Sequence, residues 1–185
     1  MDDVQQARYD RVFDAYQGPE GDLTWESFSA HIGALATLRG QAPDSEAVVT
    51  MREGLRVLWD QLLMAADSDH DGRVSRAEWR GFCVGITEVV RQTAAAGGEY
   101  PLTSWIRALY ALIDADGDGR ITQEEYANWL SVLGLADDTD IPAAFAGFDT
   151  DANGTLSWEE FATASQQYWS DFEDMSLPGA RWIGP

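Results

Sequence analysis

Three stretches of twelve residues place oxygen donors at one fixed spacing. In Asp114-Ala-Asp-Gly-Asp-Gly-Arg-Ile-Thr-Gln-Glu-Glu125, the carboxylates of Asp114, Asp116 and Asp118 stand at positions 1, 3 and 5. Arg120 offers its backbone carbonyl at position 7, Thr122 can hold a water at 9, and Glu125 reaches far enough at 12 to give both oxygens. The frame recurs with Asp67, Asp69, Asp71, Arg73, Ser75 and Glu78, and again with Asp149, Asp151, Asn153, Thr155, Ser157 and Glu160. All-oxygen donor sets of this kind suit a hard cation, and six to eight donors at such spacing suit Ca²⁺. Gly72, Gly119 and Gly154 stand at position 6, where the chain must reverse sharply. An acidic surface turn with one glycine arises easily by chance. Three copies in frame, each after an apolar helical run and each followed at once by an aromatic (Trp79, Tyr126, Phe161), do not.

On these loops the chain resembles the four-EF-hand calcium-binding proteins, and in particular the sarcoplasmic calcium-binding proteins and their bacterial relatives of the calerythrin type. The resemblance in layout runs from the first helix to the tail. It implies an all-α fold of four EF-hands in two packed pairs, with a short two-stranded β contact between the loops of each pair. It also implies a calcium buffer or modulator of calcium signals, with Ca²⁺ as the ligand.

The elements that position these loops follow from the hydrophobic pattern. Val4, Ala7, Tyr9, Val12, Phe13 and Tyr16 predict a first helix, and Trp25, Phe28, Ile32, Leu35 and Leu38 a second. Asp44 or Ser45 caps a long helix running into the second loop, and another helix leaves it from Glu78. Ala94 to Pro101 breaks the chain at its middle, too short for a free tether, so the halves are expected to pack together. Residues 102–113 and 124–133 flank the third loop, with Gly134 ending the second of these helices. Thr139 or Asp140, with Pro142 in the first turn, starts a short helix into the fourth loop, and residues 157–170 leave it. The expected domains are residues 1–95, an N-terminal pair of hands, residues 96–170, a C-terminal pair, and residues 171–185, a tail whose Trp182 and Ile183 fold back on the core. The apolar eighth positions should face each other, Leu23 with Val74 and Ile121 with Leu156.

The first hand departs from the pattern. Setting Leu23 at position 8 puts Tyr16 at 1, Gly18 at 3, Glu20 at 5, Gly21 at 6 and Ser27 at 12. Anchoring on Asp14 instead makes the loop two residues too long and adds Pro19, whose ring fixes φ and removes a donor. Either way the hand lacks its terminal Glu, with Glu26 the only nearby substitute. It is expected to bind no Ca²⁺ and to persist as half of a strand pair. The loop starts Tyr16 and Asp67 lie much further apart than Asp114 and Asp149, a stretched first half that resembles the sarcoplasmic and calerythrin group.

The 185 residues carry a formal charge of −20, with 32 acids against 12 basic residues, every one an arginine. Such a charge repels nucleic acid and anionic membranes. Eleven of the acids sit at ligand positions of the three loops, where their mutual repulsion should couple metal binding to folding. The absence of Lys and the scarcity of Asn fit a GC-rich genome and favour an actinobacterial member of the family. No run is apolar for the roughly 20 residues of a membrane span, and the N-terminus is acidic, which leads to a cytoplasmic expectation. The single Cys83 allows no internal disulfide and reads as a buried apolar residue.

Nothing in the sequence supplies reaction chemistry, since the two histidines, His31 and His70, fall at a helical position and at a variable loop position. The expectation is a monomeric protein that is not an enzyme, binding three Ca²⁺, with a protein target left open. The alternatives are a sensor that exposes a surface to such a target, which four Met against eight Trp and seven Phe disfavours, or a luciferin-type binder of an apolar ligand. Photoproteins resemble the chain at Trp169, but the histidine they carry in that helix falls here at Ser165.

Overall fold

The protein is known here as a computed structural model, which describes residues 3–42 and 44–170. The expectation for Trp182 and Ile183 lies outside the described residues. Its contacts divide the chain into two units, Met1–Ile86 and Thr87–Pro185.

In the first unit, α1 (Asp3–Tyr16) buries Tyr9, Val12 and Phe13 at helical spacing. It leads into the first loop, and α2 (Trp25–Leu38) leaves it behind a capping box. Ser27 N–H donates to Thr24 Oγ1 at 3.1 Å while Thr24 N–H donates to Ser27 Oγ at 3.0 Å, which satisfies two amides that the helix start leaves over. Ser45 rather than Asp44 caps α3 (Glu46–Ala66), accepting from Val48 N–H. α2 packs on α3, and Ile32 and Leu35 of the one and Leu55, Leu58, Trp59 and Leu62 of the other are all buried. Phe28 lies on Trp59 with ring centres 5.5 Å apart. The long α4 (Arg76–Ala95) follows the second loop, with Arg76–Ile86 in this unit and the rest in the next, and its Trp79 indole N–H donates to the Tyr9 carbonyl at 2.8 Å, tying the outgoing helix of hand two to the incoming helix of hand one. Cys83, one turn on from Trp79, has no exposed surface, and burial raises its thiol pKa well above the ordinary value. The two loops meet through one antiparallel bridge: Leu23 and Val74 exchange both backbone hydrogen bonds at 3.0 Å.

In the second unit, α5 (Thr103–Ile113) and α6 (Gln123–Val132) flank the third loop, and α7 (Ile141–Phe148) and α8 (Trp158–Ser170) flank the fourth. Asp140 caps α7, with Pro142 in its first turn. α5 packs on α8 and α6 on α7 around Ile113, Tyr126, Trp129, Phe148, Phe161 and Tyr168. Each loop carries a two-residue strand, β1 (Ile121–Thr122) and β2 (Thr155–Leu156), paired antiparallel with Ile121 opposite Leu156 and Thr122 opposite Thr155. Both eighth positions are fully buried, so the register that the apolar pattern predicts is fixed by what it removes from water. The Tyr110 hydroxyl lies 2.8 Å from the Gly119 carbonyl and 2.9 Å from that of Leu156, and so shares its proton between the two loops.

Candidate metal centres

The three intact loops repeat one hydrogen-bond pattern almost atom for atom. The position-6 amides of Gly72, Gly119 and Gly154 donate to Oδ2 of Asp67, Asp114 and Asp149 at 3.0, 3.0 and 2.8 Å. The position-7 amides of Arg73 and Arg120 donate to Oδ1 of Asp71 and Asp118 at 2.8 Å, and that of Thr155 to Asn153 Oδ1 at 2.9 Å. The terminal glutamates close the loops: Oε1 of Glu78, Glu125 and Glu160 accepts from the amides of Ser68, Ala115 and Thr150, and Oε2 from those of Ser75, Thr122 and Ser157. Backbone amides thus aim the carboxylates inward and offset part of their repulsion.

The result is three groupings of carboxylate oxygens, each with its members within 4.8 Å of one another: Asp67, Asp69 and Asp71; Asp114, Asp116 and Asp118; and Asp149, Asp151 and Glu160. A hard divalent cation fits such donor sets, since every side-chain donor is an oxygen and position 7 of each loop adds the carbonyl of Arg73, Arg120 or Thr155. The electrostatics differ from group to group. Backbone donors at Ser75 and Ser68 pull the Glu78 carboxyl down to about 2. Burial pushes Glu160 upward, but the donors of Ser157 and Thr150 outweigh it and leave it at about 2. Burial raises Asp114, and the neighbouring charges of Glu125 and Asp118 add to the rise, so an ionised Asp114 is costly until a cation arrives.

Position 4 carries a signal that the spacing template does not contain. His70, Gly117 and Ala152 occupy it at φ +61°, +73° and +55°, all left-handed. Only Gly117 is at home there. Gly117 standing at that position in the third loop was the one hint available in the sequence.

The same position explains the first hand. Gly21 has φ +90°, close to the values at Gly72, Gly119 and Gly154, which fixes it at position 6 and Pro19 at position 4. A proline ring holds φ near −65°, so Pro19 cannot enter the left-handed region that the other three loops use here. The chain instead closes a tight turn, with Gly21 N–H donating to the Gly18 carbonyl at 3.0 Å rather than to a position-1 carboxylate. The acids of hand one face arginines of hand two. Arg80 holds Asp10 through two hydrogen bonds and lowers its pKa, and Arg76 reaches Asp14 at 2.5 Å while stacking over Phe13. Arg73 pairs with Glu20. The sequence pattern held no sign of these pairings, which join residues far apart in the chain. His31 is packed rather than catalytic in setting: its Nε2 lies 3.1 Å from the Ala15 carbonyl, its ring lies 4.7 Å from that of Tyr16, and burial lowers its pKa. Ser165 is fully buried, 3.0 Å from the Tyr100 hydroxyl.

Helix–loop–helix units paired through their loop strands, with oxygen donors converging inside the loops, define a helical protein that binds divalent cations. The family profile of the EF-hand domain pair matches residues 53–131 and 103–166. Calerythrin of Saccharopolyspora erythraea is 26% identical over 160 residues, 86% of this chain and 88% of its own length. A Streptomyces coelicolor calcium-binding protein superposes with a TM-score of 0.69 at 26% identity, covering 90% of this chain and 98% of its own. A sarcoplasmic calcium-binding protein from amphioxus shares the fold at a TM-score of 0.74 and 18% identity, over 100% of this chain and 98% of its own. The chain belongs to the EF-hand family of calcium-binding proteins, and within it is similar to calerythrin and, in fold, to the sarcoplasmic calcium-binding proteins.

Proposed function

We propose that the protein is a monomeric cytoplasmic Ca²⁺ buffer without catalytic activity, binding three Ca²⁺ per chain. The ligands are Asp67, Asp69, Asp71, Arg73 and Glu78; Asp114, Asp116, Asp118, Arg120 and Glu125; and Asp149, Asp151, Asn153, Thr155 and Glu160, with Arg73, Arg120 and Thr155 acting through their carbonyls. The observation that carries this reading is the shared hydrogen-bond pattern, in which each terminal glutamate is already folded across its loop from residue 2 to residue 9. A loop closed in advance needs little rearrangement to bind, which suits storage better than signalling. The core supports the same reading, since Trp59, Trp129, Tyr9, Tyr126, Phe148 and Phe161 are committed to the interior and are not held at a surface for a target helix. Ca²⁺ is preferred over Mg²⁺ because a glutamate at position 12 can give two oxygens, whereas Mg²⁺ wants six donors at about 2.0–2.1 Å.

Calorimetric titration of metal-free protein with Ca²⁺, with and without Mg²⁺, tests the stoichiometry, and small-angle scattering with an apolar dye tests the role. Three ions, an almost unchanged radius of gyration and no new dye binding are expected. A fourth tight ion would sink the site assignment. Dye binding that appears only with Ca²⁺ would turn the reading from buffer to sensor.

A further inference from the structure

Loop one has lost its ligand set but keeps two carboxylates at its boundary with loop two, Glu20 at position 5 and Asp22 at position 7. Arg73, at position 7 of loop two, pairs with Glu20 and lies 3.9 Å from Asp22 Oδ2. The second unit provides an internal comparison. Arg120 stands at the equivalent place, reaches across to the partner loop in the same way, and finds a neutral acceptor, Thr155 Oγ1, at 3.0 Å. Loop one therefore meets this arginine with charge, where loop four meets its counterpart with a hydroxyl.

The residue that sends this guanidinium across to loop one also carries the carbonyl offered at position 7 of the second site. Its neighbour Val74 is bonded to Leu23 in both directions at 3.0 Å. Arg73 is thus held at two points, by its side chain and by the bridge that follows it. We propose that Arg73 is a positioning residue through which the ion-free loop one holds the position-7 carbonyl of loop two ready for Ca²⁺, taking the part that a filled partner loop plays in an ordinary pair. The proposal rests on the reading that loop two binds Ca²⁺.

Two physical effects act in the same direction. Anchoring Arg73 removes conformations from the empty loop, so less entropy is lost when the ion orders it. Glu20 and Asp22 also offset a positive charge that would otherwise repel the arriving cation. The pairs are exposed to solvent, and exposed pairs of this kind are weak, so the effect on affinity is about two- to fivefold.

The test titrates the full chain with Ca²⁺ at about 0.15 M salt, where direct fields are screened beyond roughly 8 Å. Loop two is read alone through the amide resonance of Gly72. The variants are Arg73→Met, Arg73→Lys, the pair Glu20→Gln with Asp22→Asn, and the pair combined with Arg73→Met. Arg73→Met and the acid pair are each expected to weaken site two about two- to fivefold, the combination to be no weaker than Arg73→Met alone, and Arg73→Lys to restore part of the loss. In metal-free protein, the Val74 amide should exchange faster in Arg73→Met and in the acid-pair variant than in the parent. Unchanged or tighter binding in Arg73→Met overturns the proposal. So does an acid-pair effect that persists undiminished in the Arg73→Met background, because it would then act directly through space. If Gly72 of the parent does not respond to Ca²⁺ at all, it is the calcium reading of loop two that fails, and the proposal with it.

Discussion

At the scale of single residues, the loops divide into what the template contains and what the backbone adds. The oxygen-bearing residues that the loops bring together were legible in the sequence, because a hard cation would require that set at that spacing. The left-handed fourth position was not, because His70 and Ala152 are residue types that give no warning of it. An alanine there carries roughly 1–2 kcal/mol of steric cost that glycine avoids. Gly117→Ala should therefore destabilise by about 1 kcal/mol, and since no atom lies within 4 Å of the added Cβ, the cost is conformational alone. Ala152→Gly should stabilise by up to about 1 kcal/mol, the relief of strain exceeding the added freedom of the unfolded chain. Urea unfolding of both variants checks the pair, and equal effects of the same sign would refute the strain at position 4. A second expectation concerns acid. Glu78 titrates near 2 in the fold against an ordinary value of 4.5, so it contributes stability that is complete above about 4.5 and is lost as the pH falls towards 2. Glu78→Gln should flatten the fall in stability of metal-free protein across that window. A slope identical to the parent's would show that the amides of Ser68 and Ser75 do not hold this carboxylate.

At the scale of elements, the helices were readable from their apolar spacing and the strand contacts from the eighth positions. The reason loop one differs was only half readable. Tyr16, Gly18 and Ser27 announce missing ligands, but the stronger obstacle is the backbone that Pro19 imposes. Replacing Tyr16→Asp, Gly18→Asp and Ser27→Glu should leave calorimetry at the parent stoichiometry, and adding Pro19→Gly should add one ion. A further ion in the triple variant would remove Pro19 from the explanation. In the second unit, the Ile121 and Leu156 pairing and the shared Tyr110 hydroxyl join the loops physically. Ordering one loop then lowers the cost of ordering the other, a coupling of typically about 1–3 kcal/mol. Glu160→Gln should therefore weaken Ca²⁺ at the third loop as well as the fourth. Unchanged affinity at the third loop would dissolve the link.

At the scale of the whole molecule, a charge of −20 sets the balance between compactness and repulsion. Much of that charge is concentrated where cations would sit, so removing them exposes the repulsion in full. Chelation should lower the melting temperature, and Ca²⁺ at 100 times its Kd should restore about 2.7 kcal/mol for each independent site. A melting temperature indifferent to chelator would contradict the coupling of binding to folding. The arginines that hold Asp10, Asp14 and Glu20 show why charge counts alone could not foretell the architecture: they distribute cations within the chain according to distances that only the fold creates. Cys83 stands one turn beyond Trp79 and has no exposed surface, and it is the only thiol in the chain. A disulfide reagent can reach it only when α4 lifts away from its neighbours, so the rate of thiol labelling is a clock for that opening. The half-life read from that clock, with and without Ca²⁺, gives the protein's breathing a time scale at a single known atom.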